Sequence, residues 1–266
     1  MLKNKQVECV IMDWAGTAVD FGCFAPVNAF IKAFEEIAID ITTEEVRIPM
    51  GMAKVEHIRQ LLRMDRINNE FENIYHRLWN EEDVARLNQS FEKHLFARLS
   101  DYTDPIPHVI DTISILRHKG LKIGSTTGYT QAMMNIVEPS ARTKGYFVDN
   151  CVTPDNLPMG RPSPFMIFQN MIDMNVQSPD NVVKVGDTLE DIREGLNAKV
   201  WTVGVIIGSS ELGLSETEIG QIPKTEIRER VDGVRLKMQE AGAHYTIETI
   251  AELPEIIERI NKQLKK

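Results

Sequence analysis

At 266 residues the chain is long enough for one large α/β domain, or for a core domain with a smaller companion. Its 42% hydrophobic and 26% charged content is that of an ordinary globular protein, with too few aromatic residues for a base-stacking platform. A formal net charge of -9 argues against nucleic-acid and anionic-membrane partners, which need a basic face, but allows a small anionic substrate in a pocket with its own cations.

The stretch Met1 to Gln6 is short and polar, without the apolar segment and cleavage site of a signal peptide, and no apolar run reaches the roughly 18 residues of a membrane span. An apolar run of strand length, Val7 to Met12, follows at once. About a hundred residues then separate it from the next such run, far more than one crossover needs. The interval has helical periodicity in Val27 to Ile39, Val55 to Leu62, Phe71 to Leu78 and Val84 to Leu99. Thr42 and Thr43 before Glu44 and Glu45 mark a helix start, and Pro105 and Pro107 mark the return to the core. These features predict a helical cap domain over 21–103, inserted into a core of 1–20 and 104–266.

Further strands are expected at Leu121 to Ser125, Asn150 to Val152, Val182 to Val185 and Val200 to Ile207, with helical segments between most of them. After a loop at Gly208 to Gly213, a charged helix is expected over Pro223 to Ala241. A closing strand, His244 to Ile247, and a helix, Glu248 to Leu264, complete the chain. The alternation predicts an α/β fold with a Rossmann-like parallel sheet. Cys9, Cys23 and Cys151 have no C-x-x-C spacing, and they fit a reducing cytoplasm.

Ligands of an open parallel sheet collect at the carboxyl ends of its strands. Asp13 ends the first strand within MDWAGTAVD, and Thr127 follows the second within GSTTGY. Arg161 precedes a helix in GRPSP, and Asp187 and Asp191 follow the fourth strand in GDTLED. Each has an ordinary reading alone, as an Asx turn, turn chemistry, a surface cation or helix-terminal acids. Together they provide a carboxylate, a hydroxyl, a guanidinium and a carboxylate pair, which is what a phosphoryl site needs. A carboxylate nucleophile approaches a phosphoryl dianion only when a cation such as Mg²⁺, held by hard oxygen ligands, screens the repulsion.

These residues resemble the motifs of the haloacid dehalogenase superfamily, D-x-D-x-T, a strand-end Ser or Thr, a Lys or Arg, and an acidic pair. The resemblance implies Asp13 as nucleophile, Thr127 and Arg161 as phosphate-binding groups, Asp187 as a metal ligand, and Thr17 and Asp191 as supporting residues.

One departure bears on the substrate. Ala15 stands where the phosphatases and mutases of the superfamily have a second aspartate that protonates a bridging oxygen. Its loss costs nothing if carbon is bonded directly to phosphorus. Carbon leaves only if its charge is delocalised, and a protonated imine is a suitable sink. Lys54, after the turn Pro49-Met50-Gly51 in the cap, is the candidate amine, with His57 one helical turn on.

The runs DWAGT, VDFGCFAP, PMG with Lys54, KIGSTTGYT, VTPD, GRPSP, KVGDT and VGVIIGSSELGL narrow the resemblance to the phosphonatases of that superfamily, over almost the whole chain. It implies hydrolysis of phosphonoacetaldehyde to acetaldehyde and phosphate, through a Lys54 imine and an Asp13 aspartyl phosphate. It also implies Mg²⁺ held by Asp13, the Ala15 carbonyl and Asp187. Cys23, Met50, Gly51, His57 and Tyr129 would lie near the substrate, and the enzyme would be a homodimer. Ala18 departs from the second threonine expected after DWAGT. Two other readings share these residues, a phosphate-monoester phosphatase or phosphomutase, and a non-catalytic ligand-binding protein.

Overall fold

β1 (Cys9–Met12) reads CVIM and is buried along its whole length, which marks it as a central strand of a sheet covered on both faces. The computed structural model describes residues 6–265, so residues 1–5 of the expected polar amino terminus, and residue 266, lie outside the described residues. After β1 the chain leaves the sheet for five helices: α1 (Phe24–Glu35), α2 (Thr43–Arg47), α3 (Lys54–Arg63), α4 (Asp65–Tyr75) and α5 (Glu81–Arg98). It returns through α6 (Val109–His118) and β2 (Lys122–Thr126), then runs α7 (Gln131–Thr143), β3 (Asn150–Val152), α8 (Phe165–Asp173), β4 (Val182–Gly186), α9 (Leu189–Asn197) and β5 (Trp201–Val205). The last elements are α10 (Glu216–Gln221), α11 (Lys224–Glu240), β6 (Tyr245–Ile247) and α12 (Leu253–Leu264).

The six strands are all parallel, in the order β3-β2-β1-β4-β5-β6. Val10 lies opposite Ile123 on one side and Val183 on the other. The order reverses at β1, so the crevice beyond the carboxyl ends of β1 and β4 is the switch point where such sheets bind ligands. Asp13 and Asp187 are the first residues past those two ends. The α/β class, the parallel core and the inserted helical cap agree with the sequence reading.

Element ends differ from the periodicity in places, for local reasons. α1 begins at Phe24 because the Asp20 carboxylate accepts the amides of Phe24 and Ala25 at 3.0 and 2.9 Å. α4 covers Asp65–Tyr75 rather than Phe71 to Leu78, because His76 turns left-handed at φ 53° and ends it. Thr42, with Glu45, forms the capping box that opens α2. α10, a short polar helix opened by a Ser215–Glu218 capping box, has no apolar stripe and escaped the periodicity. The helix expected from Glu248 starts at Leu253, after a 3-10 turn at Ile250–Glu252.

The cap is held by an aromatic stack. Phe30 on α1 lies 4.0 Å from the His57 ring of α3 and 4.2 Å from the Phe91 ring of α5, and all three are fully buried. Among the described residues no helix is long and apolar enough to cross a membrane. Phe30→Ala removes the centre of this stack, and urea denaturation is expected to show a loss of about 3–5 kcal/mol; a loss under about 1 kcal/mol would show that the stack does not hold the cap.

Candidate active site

The loop after β1 folds tightly on itself. The Trp14 carbonyl accepts the amides of Thr17, Ala18 and Val19, while Trp14 Nε1 donates to Ser125 Oγ at 2.9 Å. Gly16 is the critical position, at φ +88°, where a Cβ would lie 2.3 Å from Asp187 Oδ2. Only glycine lets the loop after β1 and the Asp187 carboxylate come this close. Asp187 is fixed by Thr17 Oγ1 on one oxygen at 3.1 Å and the Ser210 amide on the other at 2.8 Å.

Asp13, Asp187 and Asp191 each offer a carboxylate oxygen within 4.8 Å of the others, all buried. Burial, and then the charges of Asp13 and Asp191, push the Asp187 carboxyl well above the usual carboxylate range. Buried, crowded hard oxygens of one sign fit a divalent cation such as Mg²⁺. Asp191 has its own partners: its Oδ1 pairs with Lys184 Nζ at 2.8 Å and Arg161 Nη1 at 3.0 Å, and its Oδ2 accepts Thr188 Oγ1 at 2.6 Å. Burial would raise its pKa, but Arg161 and Lys184 outweigh that and hold it down at about 2. Asp13 and Asp187 are therefore the acids left to face a cation.

Arg161 donates through Nη2 to Asp13 Oδ1 at 2.6 Å and to the Thr126 carbonyl at 2.8 Å, and through Nε to Glu194 Oε2 at 3.0 Å. Its fork is largely occupied in orienting Asp13 and binding it to α9. Lys184, in the middle of β4 and fully buried, donates to Thr126 Oγ1 at 2.9 Å and lies 3.5 Å from Glu194. Lys184, Glu194, Thr126 and Thr188 were missed in the sequence reading. A lysine inside the apolar run Val182 to Val185, and Glu194 three residues after Asp191 on one face of α9, were the available signals.

One cavity of about 40 Å³ brings together Asp13, Ala15, Cys23, Met50, Gly51, Lys54, Thr127, Tyr129 and Arg161, with Thr188 at its edge. Gly51, at φ +90°, packs where a Cβ would lie 3.0 Å from Thr188 Oγ1, so the cap turn lies directly on the core loop. Lys54 is only partly buried as a residue, but its amine is inside, 5.9 Å from the centre of the Tyr129 ring. Burial lowers its pKa; Cys23 and Asp13 oppose the shift, and Arg161 adds to it. Burial raises the pKa of the Cys23 thiol and the Tyr129 phenol well above their usual values, so both are neutral neighbours. Thr17, Asp187 and Asp191 do not line the cavity, and Asp187 and Asp191 complete the acidic cluster beside it. His57 does not line it either. It is packed inside the cap, where burial and the Lys54 charge hold it well below its usual pKa.

A family model described as haloacid dehalogenase-like hydrolase matches residues 7–199. The chain is 56% identical over 260 residues to the phosphonoacetaldehyde hydrolase of Bacteroides fragilis, covering 98% of this chain and 99% of that one. It is also 56% identical to the phosphonoacetaldehyde hydrolase of Parabacteroides distasonis, over 97% and 98% of the two chains. Among solved structures, a phosphonoacetaldehyde hydrolase-like protein from Oleispira antarctica superposes with a TM-score of 0.95 at 35% identity, over 100% and 98% of the chains. The chain belongs to the haloacid dehalogenase-like hydrolases and, within that class of enzymes, to the phosphonoacetaldehyde hydrolase family.

Gly16→Ala forces the loop after β1 and Asp187 apart. Turnover is expected to fall about 100-fold, as for a misplacement of roughly 1 Å, with divalent-cation binding weakened in a calorimetric titration. Wild-type cation affinity in a folded Gly16→Ala protein would contradict this reading of the loop.

Proposed function

We propose that the protein hydrolyses the carbon–phosphorus bond of phosphonoacetaldehyde, giving acetaldehyde and phosphate, through an imine on Lys54 and an aspartyl phosphate on Asp13. The observation that carries this reading is one cavity holding a carboxylate nucleophile, a desolvated amine and, at Ala15, no acid to protonate a leaving oxygen. The names of the relatives support the substrate.

Burial leaves a larger share of Lys54 as free amine, which adds to the aldehyde carbon and expels water to form a protonated imine. An Asp13 carboxylate oxygen, aimed by the bond from Arg161, attacks phosphorus. As the new oxygen–phosphorus bond forms, the carbon–phosphorus pair flows into the iminium and leaves an enamine on Lys54. Protonation at carbon and hydrolysis of the imine release acetaldehyde, and water then cleaves the aspartyl phosphate. A divalent cation held by Asp13, the Ala15 carbonyl and Asp187 would neutralise charge on the phosphoryl group. The Thr127 hydroxyl and Arg161 border the space that this group would fill. Cys23, Met50 and Tyr129 would wall the aldehyde end.

Gly51 of the cap turn packs against Thr188 of the core loop beside this cavity, so movement of the cap would widen the way in for substrate and its closure would limit access of bulk water. The free cysteines suit a reducing cytoplasm, and the family resemblance favours a homodimer.

Borohydride added with substrate is expected to inactivate the enzyme and leave a two-carbon adduct on Lys54. Lys54→Arg should abolish both turnover and labelling, and near-normal turnover by that variant would remove the imine from the mechanism. Asp13→Ala should still be labelled but release no phosphate; release at the wild-type rate would point to another nucleophile.

The lowered Lys54 pKa sets the direction of the pH dependence, since the neutral amine is the reactive form. Labelling at low substrate should rise with pH to a midpoint below that of a free lysine, ~10.4. A midpoint at or above that value would show that burial does not tune this amine.

A further inference from the structure

Arg47 stands on α2 in the cap, yet its side chain is spent on the core. Its Nη1 donates to the carbonyl of Ser210 at 3.1 Å, and the amide of the same Ser210 donates to Asp187 Oδ2 at 2.8 Å. Ser210 is itself buried, in a loop tied by the Gly213 amide to the Ser209 carbonyl at 3.0 Å. Gly213 at φ +67° lets the arginine lie flat on that loop, because a Cβ there would be 2.8 Å from Arg47 Nε. The guanidinium also covers the Phe24 ring at 5.0 Å, where α1 begins. Its Nε and Nη2 are buried without a hydrogen-bond partner. Burying a guanidinium for so few hydrogen bonds costs stability, and packing alone would be served as well by an apolar side chain.

We propose that Arg47 is a positioning residue that couples closure of the cap to the orientation of Asp187, so that the divalent cation is held more tightly when the cap is shut. The proposal rests on Asp187 as a cation ligand. When the cap swings away, Arg47 leaves the Ser210 carbonyl, and the peptide that aims Asp187 loses its outer support. The coupling is reciprocal, so cation binding favours the closed cap by the same factor. An enzyme built this way assembles its electrostatic site only around an enclosed substrate.

The test uses the full chain without substrate and Mn²⁺ as the probe, read by electron paramagnetic resonance of the free ion and by hydrogen exchange of the turn 48–53. In the wild type, Mn²⁺ should slow exchange in that turn. Arg47→Ala should weaken Mn²⁺ binding about tenfold, within the usual range of coupling energies, and abolish the slowing, while Arg47→Lys should recover part of both. If Arg47→Ala does not fold, Gly213→Ala displaces the guanidinium without removing its charge and should show the same losses. Wild-type Mn²⁺ affinity with an unchanged exchange response, in either folded variant, overturns the proposal. Asp187→Asn separates the underlying assignment: wild-type Mn²⁺ binding there would overturn the ligand role and the coupling together. Borohydride labelling of Lys54 reports on the imine independently, so its failure leaves these outcomes standing.

Discussion

Charge balance in a buried crevice governs this site. Asp13, Asp187, Asp191 and Glu194 meet at the switch point of the sheet, opposed directly by the two cations Arg161 and Lys184. Such a cluster is costly unless more positive charge arrives. The imbalance falls mainly on Asp187, whose carboxyl resists ionisation in the protein alone. A divalent cation bound among these acids would relieve it from the core side. An iminium on Lys54 would add positive charge from the cap side as the carbon–phosphorus bond weakens.

Burial of Lys54 works in both directions. It disfavours the ammonium, and in the proposed reaction the same burial would limit the screening of an iminium from Asp13. Neutral neighbours, Cys23 and Tyr129, complete a wall that adds no competing charge. Ala15 fits the proposed reaction, in which a departing carbon would need an electron sink rather than a proton-donating carboxyl at that position.

Much of this was legible in the sequence because strands buried on both faces are bare apolar runs, and site residues of a parallel sheet fall just past their ends. Asp13, Thr127 and Asp187 were visible for that reason, and Lys54 became visible only through Ala15. What escaped depends on distant contacts. Lys184 and Glu194 pair across 10 residues of chain and with Arg161 from another loop, and no local pattern states that pairing. Arg161 was read as a phosphate clamp, whereas most of its donors are occupied by Asp13, Thr126, Asp191 and Glu194. His57 follows Lys54 by one helical turn, but its ring stacks on Phe30 of α1 and so stays inside the cap. α10 and the left-handed end of α4 were set by caps and backbone conformation rather than by an apolar stripe.

The most direct test of the electron sink is carbon-13 NMR of phosphonoacetaldehyde labelled at the carbonyl carbon and bound to Asp13→Ala, which arrests the reaction before phosphoryl transfer. The account predicts a protonated-imine resonance that couples to nitrogen-15 in lysine-labelled protein and is lost in the double variant with Lys54→Arg. A spectrum showing only bound aldehyde and its hydrate, in folded protein saturated with substrate, would contradict it.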